Sequence, residues 1–444
     1  MIKVAKFGGS SVADAKQFAK VKAIVNSDQD RKFIVVSACG KSHDEDHKVT
    51  DLLYLCHAHL KYGVSFEPIM QMIEAKYQQI HQELKLRVDL KQEFSDIRKL
   101  MDKNIDLDYL VSRGEYLCAK MMADYLDAQF IDAKDLLAFD YDGSLNYEKV
   151  KAKLQTYLYS DKKLVIPGFY GSFPNGKIHL LSRGGSDVTG AMIANVIDAD
   201  IYENFTDVPG IMIADPRIVK DPKVIKRITY NELREMSYMG ANVLHEEAIF
   251  PARSKHIPIH ILNTNDPNNG GTLIVENCDE LDEKDDPYPI TGITGRTNFS
   301  VLNIVKSHSS NEVGVLAKAL NIVSKYQVSV ESVPSGIDSF SIVMDTRKVE
   351  HCIYEMMVEL KKELNLDSIT LSENIAMVAV VGRKMKDAKG FSGKLFAQLG
   401  MHDINIRLIS QTADEINIIV GVMNKDFAKT INCIYDKFIG AKVK

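Results

Sequence analysis

Two glycine-rich turns constrain this chain more than anything else in it. Pro167-Gly-Phe-Tyr-Gly171 ends an apolar run, Lys163–Pro167, that reads as a buried strand. A turn at Asn175-Gly176 leads to a second strand-like run, Ile178–Leu181. Then comes Ser182-Arg-Gly-Gly-Ser-Asp187, opening a segment with Val188, Ala191, Met192 and Val196 on one helical face. A helix whose first turn holds Ser186 and Asp187, directly after paired glycines, offers free backbone N–H groups and a positive dipole end to an anion. Arg183 adds a forked cation suited to carboxylate or phosphate. Such turns are common as mere helix caps. The crowding of paired glycines, an arginine and a capping aspartate is what points to an anion site.

The chain opens in a similar way. Ile2–Phe7 alternates as a strand, enters Gly8-Gly9-Ser10-Ser11, and is followed by a helix carrying Phe18, Val21, Ile24 and Val25. A second strand, Phe33–Val36, ends at Ser37-Ala-Cys-Gly40; this order begins an α/β domain. Lys6 before the glycines could neutralise charge on a transferring phosphoryl group. The plainer reading is an edge lysine before a turn. Lys41–Lys48 is expected to be an exposed loop. From Thr50 to about Ala128 helical periodicity dominates, with breaks expected near Gly63, Pro68 and Asn104. Ser112-Arg-Gly-Glu115 is expected at a helix start, where a glutamate ordinarily serves the dipole. Thr206-Asp-Val-Pro-Gly210 follows the strand-like Ile201–Phe205, and strand ends are where open sheets collect ligands.

Composition excludes other classes. With 444 residues the chain should form two or three domains, and its net charge of -5 provides no basic field for nucleic acid. No apolar run reaches a membrane span, and the start lacks a signal peptide's layout. Six scattered cysteines without CxxC fit a reducing cytoplasm. Gly171–Lys177 nearly matches a phosphate loop, but Ile178 replaces the required Ser/Thr, so a hairpin turn is expected. There is no GxGxxG and no HExxH. No protein metal cage is expected; any divalent ion should arrive with a nucleotide.

The acidic, proline-bearing run Cys278–Pro289 reads as a linker. Beyond it, Val301–Val305 lines up with Met377–Val381 at an offset of 76 residues. The same offset pairs Gly314 with Gly390, Lys318 with Lys394, Val328–Val330 with Ile404–Ile406, and Phe340–Val343 with Ile416–Ile419. Each copy reads strand, Gly-opened helix, strand, turn, strand. Neither holds a cluster of catalytic residues, which suits ligand-dependent assembly better than chemistry.

Together these residues resemble one family, the aspartate kinases of the amino-acid kinase fold. Its markers are Lys6-Phe-Gly-Gly, Ser112-Arg-Gly-Glu, Ser182-Arg-Gly-Gly-Ser-Asp, Thr206-Asp-Val-Pro-Gly and Gly240-Ala-Asn-Val-Leu-His245, in the family's order. The tandem repeat resembles the paired ACT modules that end these enzymes. The resemblance implies an α/β sandwich around a mainly parallel sheet over 1–280, then two α+β, ferredoxin-like ACT modules over 290–370 and 371–444. It implies transfer of the γ-phosphoryl of ATP, carrying Mg²⁺, to the side-chain carboxylate of L-aspartate, the entry step to lysine, threonine and methionine. Lys6, Arg183 and Asp187 would be catalytic. Ser37, Thr50, Glu115, Arg183, Gly184, Gly185 and Ser186 would hold aspartate. Lys6, Phe7, Gly8, Gly9, Thr206, Asp207, Met212, Arg217, Asn242 and Val243 would border the nucleotide; the family often has Lys at Asn242 and Tyr at Met212. Another amino-acid kinase with a different acidic substrate, or an inactive amino-acid sensor, is the alternative.

An end-product effector, lysine before threonine, is expected at the first repeat. There the helix start at Gly314, Val315 and Leu316 can receive a carboxylate, and Ser329 and Glu331 can receive an ammonium group. The second repeat has Arg407 where the first has Glu331. The expected assembly is a homo-oligomer, dimer or tetramer, joined through the ACT modules.

Overall fold

A computed structural model describes the chain except residues 159, 183, 242, 243, 245, 279–286, 309, 310, 412–415 and 441–444. The chain divides into two units. One is Met1–Ile211 with Val224–Tyr230 and Val243–Glu283; the other is Met212–Lys223 with Asn231–Asn242 and Lys284–Lys444.

The first unit contains β1 (Lys3–Phe7), β2 (Arg31–Val36), β3 (Gln129–Phe130), β4 (Leu164–Pro167), β5 (Tyr170–Ser172), β6 (Ile178–Leu180), β7 (Ile201–Thr206), β8 (Arg227–Thr229), β9 (Ile259–Asn263) and β10 (Thr272–Val275). Eight of them form one sheet in the order β3-β4-β2-β1-β7-β9-β10-β8. Neighbours run parallel except β9 and β10. A parallel sheet is covered on both faces, which is why Phe33–Val36 and Leu164–Ile166 read as continuous apolar runs and are buried. β5 and β6 form the hairpin expected around Asn175-Gly176.

Helical periodicity after Thr50 resolves into Val49–Lys61, Glu67–Leu84, Leu90–Lys99 and Leu107–Leu126. The break expected near Gly63 and Pro68 is formed: one helix ends at Lys61 and the next opens at Glu67, with Pro68 in its first turn, where a missing N–H costs nothing. That second helix ends at Lys85, in the left-handed region at φ 54, without a glycine to announce it. Ser112–Glu115, by contrast, is not a helix start. The helix begins after Asp106, whose carboxylate caps Asp108 and Tyr109, so Glu115 lies in the third turn and serves no terminal dipole.

The second unit is an antiparallel sheet in the order β12-β11-β13-β15-β14, comprising β11 (Gly292–Val305), β12 (Ser339–Asp345), β13 (Ser368–Val381), β14 (Leu408–Ser410) and β15 (Asn417–Met423). β11 and β13 are each 14 residues long and stand at the repeat offset. Their helices, Val315–Lys325 and Phe391–Met401, are capped by Gly314 and Gly390 in the same left-handed conformation. The strands expected at Val328–Val330 and Ile404–Ile406 are not formed; two bridges, Ser332 to Val343 and Ser335 to Phe340, and β14 occupy the neighbouring positions.

The two long strands pair antiparallel along their length. Gly292–Arg296 pairs with Met377–Val381, and Val301–Val305 with Ser368–Ser372. Each strand therefore serves both copies of the repeat. It kinks on the way, at Asn298 (φ 67) and Asn374 (φ 60), where the register shifts. Within the same unit Glu232 is fully buried. It accepts from Thr291 Oγ1 (2.6 Å) and from the backbone and guanidinium of Arg383 (2.9 and 3.2 Å).

Candidate active site

Lys6 and Asn204 are direct neighbours across the parallel pair β1 and β7. Both are buried, and both reach the first turn of the Gly185–Val196 helix. Lys6 Nζ lies 2.5 Å from Asp187 Oδ1 and 3.5 Å from Asn204 Oδ1. Asn204 Nδ2 donates to the same Asp187 oxygen at 2.8 Å, and Tyr202 OH donates to the Asp187 carbonyl at 3.1 Å. Asp187 does not cap its helix; the cap is Gly184, at φ 79, with no side-chain bond. Its carboxylate is spent on the lysine instead.

The loops at the ends of β1, β2 and β4 meet beside this pair. Ser37 N–H donates to the Phe7 carbonyl (3.1 Å), and Gly40 N–H to the Gly9 carbonyl (2.9 Å). A side chain on Gly40 would put its Cβ 2.5 Å from the Gly9 carbonyl carbon, so only glycine permits this approach. Gly168 N–H donates to the Val36 carbonyl, and a Cβ on Gly168 would strike Ser186 at 2.7 Å. Lys6, the Gly8-Gly9 loop, Ser37, Ser186 and Asp187 are thus gathered at the carboxyl ends of parallel strands, as open sheets require of a ligand site.

Glu115 comes from the helix beneath. It is 4% exposed, and its Oε2 makes no hydrogen bond. Burial pushes its carboxyl up to about 8, against the N–H groups of Glu115 and Ala38 and the charge of Arg113, which pull it down. A buried carboxyl with a spare oxygen is suited to receiving an ammonium group. Arg113 itself is enclosed by the rings of Tyr109, Tyr116 and Tyr170, 4.3 to 5.7 Å from its guanidinium carbon.

Thr50 stands in the first turn of Val49–Lys61, and Thr206 ends β7, its Oγ1 3.2 Å from Asp207 Oδ1. Met212 and Arg217 belong to the second unit, where Arg217 forks onto Asp215 through Nε and NH2 (3.0 and 2.6 Å). Arg183, Asn242, Val243 and His245 lie outside the described residues. In the first repeat, Val315 opens the helix after Gly314, with Leu316 exposed. Ser329 is exposed, while Glu331 Oε2 lies 3.8 Å from Arg296 NH1. Asn204 and Tyr202 escaped the sequence reading because strand residues carry no motif. The signal available was the polar pair Glu203-Asn204 in the middle of the strand Ile201–Thr206.

The Amino acid kinase family profile matches residues 1–263, and an ACT domain profile matches 378–438. The chain is 33% identical to aspartokinase 3 of Bacillus subtilis over 98% of both chains. The crystal structure of Clostridium acetobutylicum aspartate kinase superposes with a TM-score of 0.88 at 46% identity, covering 98% of this chain and 99% of that one. Escherichia coli aspartokinase III in complex with aspartate and ADP gives 0.72 at 26% identity, covering 98% and 99%. With its strand-end Lys6–Asp187 pair and its shared-strand C-terminal sheet, the chain belongs to the aspartate kinases of the amino acid kinase family.

Proposed function

We propose that this chain phosphorylates the side-chain carboxylate of L-aspartate with ATP, giving 4-phospho-L-aspartate. The observation carrying this reading is the Lys6–Asp187 pair, steadied by Asn204 and gathered with the Gly8-Gly9 loop at the strand ends. A buried ammonium beside a close backbone turn fits a phosphate. The acceptor carboxylate is already ionised at neutral pH, so no strong base is needed. The barrier lies in bringing two anions together, and positioning with charge screening can supply that. ATP supplies the phosphoryl group, with Mg²⁺ screening its charge. Lys6 offsets charge on the transferring group, and Asp187 orients Lys6. Glu115 receives the substrate ammonium; Arg183, Ser37, Thr50 and the Gly184–Ser186 turn receive its carboxylates. Phe7, Thr206, Asp207, Met212, Arg217, Asn242 and Val243 border the nucleotide.

Aspartate-dependent ADP release, with the acyl phosphate trapped by hydroxylamine, tests the reaction. Glutamate, acetylglutamate and uridylate in the same assay test the other acidic substrates. Lys6→Ala and Asp187→Ala should lower kcat by about 100-fold or more. A folded variant of either with normal kcat would overturn the assignment. The presence of Lys6, Glu115 and Asp187 favours an enzyme over an inactive sensor.

For regulation, the reading is feedback by an aspartate-pathway end product, lysine before threonine, at Gly314, Val315, Leu316, Ser329 and Glu331. The T-state structure of E. coli aspartokinase III in complex with lysine and aspartate supports it. The proximity of Arg296 to Glu331 means an effector ammonium would compete for that carboxylate. Exposed Val313 and Leu316 at the helix start support assembly through the ACT modules as a homo-oligomer. Domains over 1–280, 290–370 and 371–444 and a cytoplasmic setting complete the proposal. Separate lysine and threonine titrations of wild type and Glu331→Ala test the effector; unchanged sensitivity in the variant would move the site elsewhere.

A further inference from the structure

The loop from Lys41 to Lys48 looks in sequence like solvated polar filler. In the structure it is folded around one ammonium group. Lys76, on the Glu67–Leu84 helix, donates from Nζ to the Gly40 carbonyl (2.5 Å), to Asp46 Oδ2 (2.6 Å) and to the His47 carbonyl (3.3 Å). Three donors meet three acceptors, and all the acceptors lie between Gly40 and His47. Asp46 in turn accepts from Ser42 N and Oγ (both 2.8 Å) and from His47 N (2.7 Å). The Lys76 and Asp46 side chains are only 13% and 19% exposed. Burial alone would raise the Asp46 carboxyl, but Lys76 and these donors hold it well below the usual carboxylate range.

What the clasp holds is the edge of the active site. Gly40 is bonded to Gly9, and two residues earlier Ala38 N–H meets the Glu115 carboxylate. On the far side of the loop, Val49 N–H donates to the Cys39 carbonyl (3.1 Å), which places Thr50. The residue after Lys76 reaches the same region by another route: Tyr77 OH donates to the Gly114 carbonyl at 2.8 Å, next to Glu115. One turn of one helix therefore grips the Ser37–Gly40 loop and the Glu115 segment together.

We infer that Lys76 is a positioning residue for the amino-acid substrate, fixing Ser37–Gly40 and Thr50 against Glu115 through Gly40 and Asp46. For the identity of that substrate this rests on the aspartate kinase reading. Lys76 touches no reacting group. The Gly8-Gly9 loop is held separately, by Gly8 N–H on the Phe205 carbonyl (3.1 Å) and Ser11 N–H on the Gly8 carbonyl (2.9 Å). Loss of Lys76 should therefore loosen aspartate binding and leave the phosphate side, built on Lys6 and Asp187, largely as it was.

Steady-state kinetics on the full chain test this, varying aspartate and ATP separately. Lys76→Met should raise KM for aspartate about tenfold or more, the scale of a lost charged hydrogen-bond set, with kcat and KM for ATP within about threefold. Lys76→Arg, which keeps charge and donors, should recover most of the loss. Asp46→Asn removes the ion pair from a loop outside the core and should give the same split even if Lys76→Met does not fold. Normal KM for aspartate in a folded Lys76→Met or in Asp46→Asn, or a parallel rise in both KM values, overturns the inference. A wild type that releases no ADP with aspartate would defeat the aspartate kinase reading on its own. Hydrogen exchange then still tests the clasp. The Ser42 and His47 amides should be protected in the wild type and unprotected in the variants, and unchanged protection overturns it.

Discussion

At the scale of single residues, Glu115 sets a pH dependence that no motif could announce. Its carboxyl is pushed up to about 8 by burial, so below that pH the free enzyme holds mostly the neutral acid. Only the ionised form can pair with an ammonium group. kcat/KM for aspartate should therefore rise about tenfold from pH 7 to pH 9, and Glu115→Gln should flatten that profile while raising KM. Stability runs the other way. The folded state keeps a proton that the unfolded chain gives up above its ordinary pKa of 4.5, so Glu115 costs the fold more as pH climbs from 4.5 to 8. A higher melting temperature for Glu115→Gln than for wild type at pH 8 would confirm the sign. Asn204 makes the complementary case. It ties the Asp187 carboxylate to Lys6, so Asn204→Ala should lower kcat by about 10- to 100-fold with KM for aspartate little changed. Single-turnover rates would separate this loss from any change in binding. Lys6 and Asp187 were legible because glycines flank them, whereas Asn204 and Lys76 were not. Their importance arises from which strand or loop lies alongside, and sequence spacing does not carry that.

At the scale of elements, the repeat offset read from sequence is also the offset between β11 and β13 and between their glycine-capped helices. The break near Gly63 and Pro68 is legible too, because the proline opens the next helix, whose first turn accepts it. The start of the Leu107–Leu126 helix is not, because Asp106, its cap, stands well before the Ser112–Glu115 motif. The kinks at Asn298 and Asn374 obey the same offset, and asparagine tolerates the left-handed region better than branched residues do. Asn374→Val should therefore destabilise the second unit by about 1–3 kcal/mol, while Asn374→Gly should be nearly neutral. Thermal unfolding of the two variants side by side checks this.

At the scale of the whole molecule, the amino acid kinase profile ends at 263, yet Met212–Lys223 and Asn231–Asn242 fold with the C-terminal unit. Periodicity along the chain reveals copies of a pattern, but not which copy completes which sheet. The second repeat depends on Gly292–Arg296 from ahead of the first, since that segment pairs with Met377–Val381. A fragment of residues 371–444 should therefore fail to fold alone, giving collapsed amide dispersion by NMR. Well-dispersed spectra from that fragment would show the borrowed strand to be dispensable.

The interleaving of β11 and β13 also bears on how such a chain can change over generations. A duplicated segment is ordinarily redundant, and either copy can be deleted or exchanged for a module from another gene. Here neither can leave without opening the other's sheet. Divergence between the copies is thus left to point substitutions, as in the contrast between Glu331 and Arg407. A lineage in which one copy lost its task would be expected to keep that copy as a partner strand and change only its individual side chains.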